Sequence, residues 1–262
     1  MIPPVVLSNA NWGPQVFEVD FNVCEALAAI DAEGLRIEHR TPRPEIYWFY
    51  YLRSAMAGLS HRLYGTRVHY NALHSWWPPR HIHADADYHL ANALFNMDSA
   101  LECFVFGINA LGNGTDAAQF KDVTDERALR NVRPTNVIGP GLCPGYATYF
   151  PSLQAHWMAS VDLIEAVVEY HDVTKHRHAG AGNGQMWQDP PPGFSDGLTE
   201  FGLVYLAPYA EIILGPEAKQ PIGARTKDWR DERYSTLEKV MVDFKPLIET
   251  SLELAVADAK KL

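Results

Sequence analysis

The sequence predicts a mainly α-helical protein: a bundle of about four to five long helices in a single domain spanning residues 1–262. Long stretches carry apolar residues at helical spacing, and clusters of glycine and proline separate them. The composition, 47% hydrophobic and 21% charged, is that of a globular chain with a buried core. An extended N-terminal arm (1–21), a loop-rich insertion (179–234) and, within it, a small loop- or β-rich section near 197–225 lie outside the predicted bundle.

The first quarter of the chain contains two predicted helices. Residues 2–21 mix prolines with β-branched side chains, which favours an extended arm. A short helix is expected over residues 22–33, ended by Gly34. Residues 45–64 are apolar on nearly every side and predict a buried helix, although their aromatic run also fits a strand. Residues 65–87 are predicted to form an ordered loop.

The clearest helical pattern follows, with Asp85 as the expected N-cap. Its apolar residues recur every three or four positions: Leu90, Leu94, Met97, Leu101, Phe104, Ile108 and Leu111. Such a seam predicts a helix with one face in the core. The glycines Gly112 and Gly114 are expected to end this helix.

The second half of the chain predicts a shorter helix over residues 116–130 and then a proline-rich connection over 131–151. Residues 152–176 predict one long helix with a seam from Trp157 to His171. A capping box at residues 235–238 opens the last predicted helix. Its seam is Leu237, Met241, Phe244, Ile248, Leu252 and Ala255, and Pro246 is expected to kink or split it.

Composition narrows the function classes. A net charge of −10 argues against strong nonspecific nucleic-acid binding, which depends on clustered Lys and Arg. The three cysteines, Cys24, Cys103 and Cys143, form no CxxC pair and indicate reduced thiols. The first residues lack the pattern of a signal peptide, and no apolar run is long enough for a membrane helix. We therefore expect a cytoplasmic protein that does not span a membrane.

A dense group of titratable residues marks the end of the predicted 152–176 helix and is the candidate ligand-binding site. It consists of His171, Lys175, His176, Arg177 and His178. Positive groups complement the dipole at a helix C-terminus, which is a sufficient structural reason for several of them. The functional interpretation is that histidine titrates near neutral pH and arginine holds a phosphate or carboxylate.

A divalent-metal site is the alternative interpretation. His81, His83 and Asp85 alternate along an extended stretch, and imidazole with carboxylate is chemistry suited to zinc, iron or manganese. Acidic residues also follow single helix faces, among them Asp98, Glu102, Glu165 and Glu169. No Glu-x-x-His pair, the usual dimetal signature of helical bundles, occurs in the chain. Solvated helix faces and a polar loop that caps a helix would explain the same residues.

One resemblance adds to these patterns. A long helix containing HLANALFNMDSALECFVFGINALG, followed by a second ending in Lys-His-Arg-His, is similar to bacterial helical-bundle proteins of the HEPN (higher eukaryote and prokaryote nucleotide-binding) superfamily. Active members are metal-independent ribonucleases with an Arg-x4–6-His motif. Arg177 would take the place of the arginine, but no histidine follows at the matching distance. The resemblance therefore implies a module without a cofactor that binds a nucleotide, RNA or protein partner, and it leaves a homodimer open.

Overall fold

The computed structural model describes residues 21–40, 47–74, 84–125, 127, 130–139, 142–176 and 227–262. It describes the backbone alone at residues 73–74, 84–87, 90, 169, 172–176, 227–239 and 241. The predicted arm over 1–20 and the β-rich section near 197–225 lie outside these ranges.

The described chain is mainly helical, as the sequence predicts, and these ranges contain no strand. Its helices are α1 (Cys24–Arg40), α2 (Trp48–His74), α3 (Ala84–Thr115), α4 (Thr135–Ile138), α5 (Pro144–Tyr149), α6 (Pro151–Ala159), α7 (Val161–His176) and α8 (Lys227–Ala259). Five of them have 16 residues or more. The number of long helices in the whole chain and the single domain remain predictions.

Helices α2 and α3 form an antiparallel pair in contact along most of their length. Small residues allow the two backbones to approach closely. A Cβ atom added at Gly65 would lie 2.5 Å from Oδ1 of Asn96, and one added at Gly58 would lie 3.1 Å from Sγ of Cys103. Near the other end of the pair, Gly114 lies against the indole of Trp48. Side chains at these glycines would require Asn96, Cys103 or Trp48 to move.

The remaining long helices complete a bundle whose neighbours along the chain alternate in direction. Helix α3 packs against α7, and its Phe104 ring stacks on Trp157 of α6, with ring centroids 5.5 Å apart. The predicted seam of α3 forms the centre of this core, because its side chains from Leu94 to Leu111 are buried. The seam of α8 is likewise buried at Phe244, Ile248, Leu252 and Ala255.

Helix α8 closes the bundle by packing against α1 and α6. Arg36 of α1 donates to the carbonyl oxygen of Ala259 at 3.0 Å, and Arg40 donates to that of Leu262 at 3.0 Å. Ala259 is the last residue of α8 and Leu262 lies three residues beyond it, so the two cations lie at the negative end of the helix dipole. Helices α1 and α8 thus run parallel, with Asn22 beside Glu249 at one end and Arg40 beside Leu262 at the other.

The predicted boundaries of the first helices are wrong. Gly34 lies inside α1 and does not end it. A Cβ atom there would lie 2.6 Å from the Leu52 side chain, so this glycine allows α1 and α2 to pack closely. Helix α2 continues to His74, through the first part of the predicted 65–87 loop. Helix α3 begins at Ala84, which places Asp85 in its first turn rather than at the N-cap, and it runs through Gly114 to Thr115.

The predicted helix over 116–130 is also wrong for residues 116–125, whereas Arg127 is helical. Carboxylates of Asp116, Asp122 and Asp125 accept hydrogen bonds from the backbone N–H two residues further on, at 2.8 to 3.1 Å. These local bonds replace helical ones and form turns. The predicted 131–151 connection instead contains the short helices α4 and α5.

The predicted helix over 152–176 is two helices, α6 and α7, separated at Ser160. The apolar seam does not reveal this break. Trp157 and Ile164 are seven residues apart, which is two helical turns, and both are buried as they would be in one continuous helix. Helix α8 begins at Lys227, before the capping box, so residues 227–234 are helical rather than part of the loop-rich section. Pro246 lies on its exposed face and does not split it.

A membrane-spanning helix requires a long apolar stretch. Within the ranges given above, no helix combines enough length with enough apolar character to cross a bilayer.

Candidate functional site

A buried acid–imidazole pair joins the predicted ligand-binding group to the core. Nδ1 of His171, in the second half of α7, lies 2.5 Å from Oδ2 of Asp98 on α3. The two side chains are 9% and 12% exposed. An ionised carboxylate can only accept hydrogen bonds, so the Nδ1–H of His171 donates to Asp98. This contact fixes the orientation of the imidazole ring and leaves Nε2 as its second polar atom.

The surroundings of this pair are aromatic and cationic. The Phe95 ring meets His171 edge to face, with centroids 5.5 Å apart. The guanidinium of Arg62, on α2, lies 4.8 Å from the centre of the Phe95 ring. Neither residue was predicted from the sequence. Phe95 lies one turn before Asp98 and could have been found from helix spacing, whereas the contact with Arg62 depends on how α2 packs against α3.

The other members of the predicted ligand-binding group are less completely described. Lys175 and His176 lie in the last turn of α7, where the backbone alone is described. Arg177 and His178 lie outside the described residues. The structure therefore places one member of the group, His171, and locates the backbone of two others.

The structure does not bring the described metal candidates together. Asp98 is paired with His171, whereas Glu102 and Glu165 are exposed. Asp85 and Glu169 are helical with only their backbone described, and His81 and His83 lie outside the described residues. Among the side chains that are described, no three histidines, cysteines or acids form a group able to hold a metal ion.

A second histidine contact joins α2 and α3 near their connection. Nδ1 of His69 lies 3.0 Å from Nδ1 of His89. One nitrogen must donate and the other accept, so the contact requires at least one neutral ring. Burial, with a smaller contribution from neighbouring His89, lowers the pKa of His69 below its ordinary value. Sequence spacing alone does not reveal this pair, because its members lie on different helices.

Comparison with known proteins assigns no family to this arrangement. No family model matches the chain, and no significant match was found among curated proteins or solved structures.

Proposed function

We propose that this protein is a HEPN-like helical-bundle module that binds a nucleotide, RNA or protein partner at the C-terminal end of α7. The contact between Asp98 and His171 carries this proposal. It ties the end of α7 to the core helix α3 and holds an imidazole in one orientation. Sites that bind tightly are preorganised in this way, because less conformational freedom is lost when the ligand arrives.

The groups beside this contact suit a nucleotide or RNA ligand. Phe95 is 38% exposed, and Arg62 lies over its ring. Nucleobases stack on aromatic rings and on guanidinium planes, and this stacking tolerates any base sequence. Further along α7 and just beyond it, the sequence supplies Lys175, His176 and Arg177, which can contact phosphates.

The test is binding of a fluorescent single-stranded RNA and of a nucleotide at low salt. Arg177→Ala and Phe95→Leu should each weaken binding, through lost phosphate contact and lost stacking respectively. Arg127→Ala removes an exposed arginine elsewhere and should leave binding unchanged. Absence of binding at low salt, where phosphate contacts are strongest, would exclude both ligands and leave a protein partner.

The alternative is a metal-dependent enzyme, for which Asp98 and His171 would supply a carboxylate and an imidazole. Plasma emission spectroscopy of the purified protein separates the two functions. The binding module predicts no stoichiometric metal. Stoichiometric zinc, iron or manganese that is lost in Asp98→Asn would overturn it in favour of the enzyme.

The proposal also includes a cytoplasmic location and no cofactor. All three cysteines are free thiols, as a reducing compartment would keep them. A homodimer is compatible with this class of module, and light scattering of the purified protein would measure the oligomeric state.

A further inference from the structure

A cavity of about 440 Å³ lies between α2, α3 and the turn at residues 130–133. Its volume is within the range of pockets that bind small molecules, about 300 to 1,000 Å³. The lining residues are Ser54, Ala55, Glu102, Cys103, Phe106, Arg130, Val132 and Arg133. None of them belongs to the site proposed at the end of α7.

The lining has an apolar part and a cationic part. Ala55, Phe106 and Val132 supply hydrocarbon surface. Arg130 and Arg133 supply two positive charges against the single negative charge of Glu102, which leaves one positive charge in excess. Within the described chain, the guanidinium of Arg133 makes no hydrogen bond or ion pair. A cation next to an apolar wall selects a ligand with an anionic head and an apolar body.

The segment that carries these arginines is anchored at two places. The side chain of Asn109 donates to the carbonyl oxygen of Lys121 and accepts from its N–H, both at 3.0 Å. Further on, the backbone N–H of Arg133 donates to Oδ1 of buried Asn136 at 2.6 Å. Val132 is itself buried. The backbone at Arg133 is therefore held in place before any ligand arrives, which lowers the entropy lost on binding.

We propose that this cavity binds a small carboxylate with an apolar body. The carboxylate pairs with the guanidinium of Arg133, and the hydrocarbon part packs against Phe106 and Val132. The planar guanidinium fork can hold a carboxylate through two parallel hydrogen bonds, and the apolar wall favours a carboxylate with a hydrocarbon body over inorganic phosphate.

The test is titration of the purified protein with 1-naphthaleneacetate by calorimetry. Arg133→Gln should weaken binding about twofold to fivefold, because a charge-assisted pair is lost at an exposed residue where water screens it. The fold should be unaffected, since the backbone rather than the side chain of Arg133 bonds to Asn136. Arg127→Gln is the matched control: it removes an exposed arginine that does not line the cavity, and it should bind like the original protein.

Two further ligands test the chemistry. An amine with the same naphthyl body and inorganic phosphate should both bind more weakly than the carboxylate. Equal binding of the amine would show that the arginines do not select the ligand, and equal binding of phosphate would show that the apolar wall contributes nothing. Either result would overturn the proposal, as would absence of carboxylate binding.

Cys103 reports the location of the ligand. Cys103 lines the cavity, whereas Cys24 does not, and both residues are half-buried. Burial raises the pKa of Cys103, so alkylation is followed at about pH 9. Bound 1-naphthaleneacetate should slow iodoacetamide modification of Cys103 and leave that of Cys24 unchanged, as read by peptide mass spectrometry. Binding without selective protection of Cys103 would place the ligand elsewhere and refute the assignment.

Discussion

Asp258, on α8, supplies the N-terminal cap of another helix, α6. Its buried carboxylate accepts hydrogen bonds from the backbone N–H groups of Ser152 and Leu153, at 2.9 and 3.1 Å. These are the first N–H groups of α6, whose own N-cap residue, Phe150, has no side-chain oxygen to accept a hydrogen bond. Burial alone would raise the pKa of Asp258, but hydrogen bonds from Lys261, Leu153 and Ser152 bring the pKa below its ordinary value.

Asp258→Asn should destabilise the protein by about 1 to 3 kcal/mol at neutral pH, because a charged acceptor of two backbone donors is lost. Urea unfolding measures the change, and Glu253→Gln, on the exposed face of the same helix, is the matched control. A carboxylate with a lowered pKa stabilises the fold above its unfolded pKa, and this stabilisation is lost as pH falls through the lower folded value. The difference between Asp258→Asn and the original protein should therefore shrink below about pH 4. A loss of equal size in Glu253→Gln would contradict this role.

His69 gives the protein a second pH dependence of stability, which comes from a base rather than from an acid. The pKa of His69 is lowered in the fold, so this histidine binds its proton more readily when the chain is unfolded. The free energy of unfolding is therefore highest above the unfolded pKa of about 6.5 and decreases as the pH falls below it. The urea midpoint should therefore fall between about pH 7.5 and 5.5. This fall should be smaller in His69→Gln and unchanged in His61→Gln, which alters an exposed histidine of α2. Equal pH dependence in His69→Gln and the original protein would exclude His69 as the source.

At the scale of the elements, one aromatic ring packs the turn region against α3, in addition to the hydrogen bonds between Asn109 and Lys121. Phe120 lies between Gly112 of α3 and Gly145 of α5, and a Cβ atom at either glycine would meet the ring. Tyr146 and Phe150 contact the ring through their edges, with centroids 5.4 and 5.9 Å away. Because Gly112 and Gly145 have no side chains, there is space between them for the ring of Phe120.

Gly145→Ala should destabilise the protein by about 1 to 3 kcal/mol, because the added methyl group overpacks a ring that is held on several sides. Gly139→Ala is the matched control in the same stretch, since its Cβ would meet only ordinary contacts at 3.6 to 3.8 Å. Thermal or urea unfolding measures both variants. If the two substitutions cost the same, close packing against Phe120 is not the cause.

For the whole molecule, the contact between Asp98 and His171 connects the end of α7 to the centre of the bundle. Removing one partner of a buried acid–imidazole pair lowers the free energy of unfolding more than removing both. The remaining polar group is then buried without its hydrogen bond. The position of the C-terminal end of α7, where the binding site is proposed, therefore depends on the contact of His171 with α3.

A double-mutant cycle with Asp98→Asn and His171→Asn should give a coupling energy above about 1 kcal/mol. The surface pair Arg53–Asp31, with atoms 2.8 Å apart and both side chains 31% exposed, is the control. Its coupling should stay below about 1 kcal/mol, because water screens an exposed pair. Similar couplings for the two pairs would show that burial does not strengthen the contact between Asp98 and His171.

The sequence predicted the core much better than the ends of the helices. The seams of α3 and α8 were correct where their side chains are described, because apolar spacing depends only on helical period and burial. Helix ends depend on competition between local and tertiary contacts. Gly34 continues a helix because Leu52 needs the space, and Asp122 forms a turn within a predicted helix.

By itself, the sequence determined that this protein is mainly helical and which faces of α3 and α8 are buried, because the period of apolar residues is a local property of the chain. The tertiary structure alone decided which polar residues meet: His171 with Asp98, His69 with His89, and Arg133 with the apolar wall of the cavity. Each meeting depends on how separate segments lie against one another, and helical spacing within one segment does not encode that arrangement.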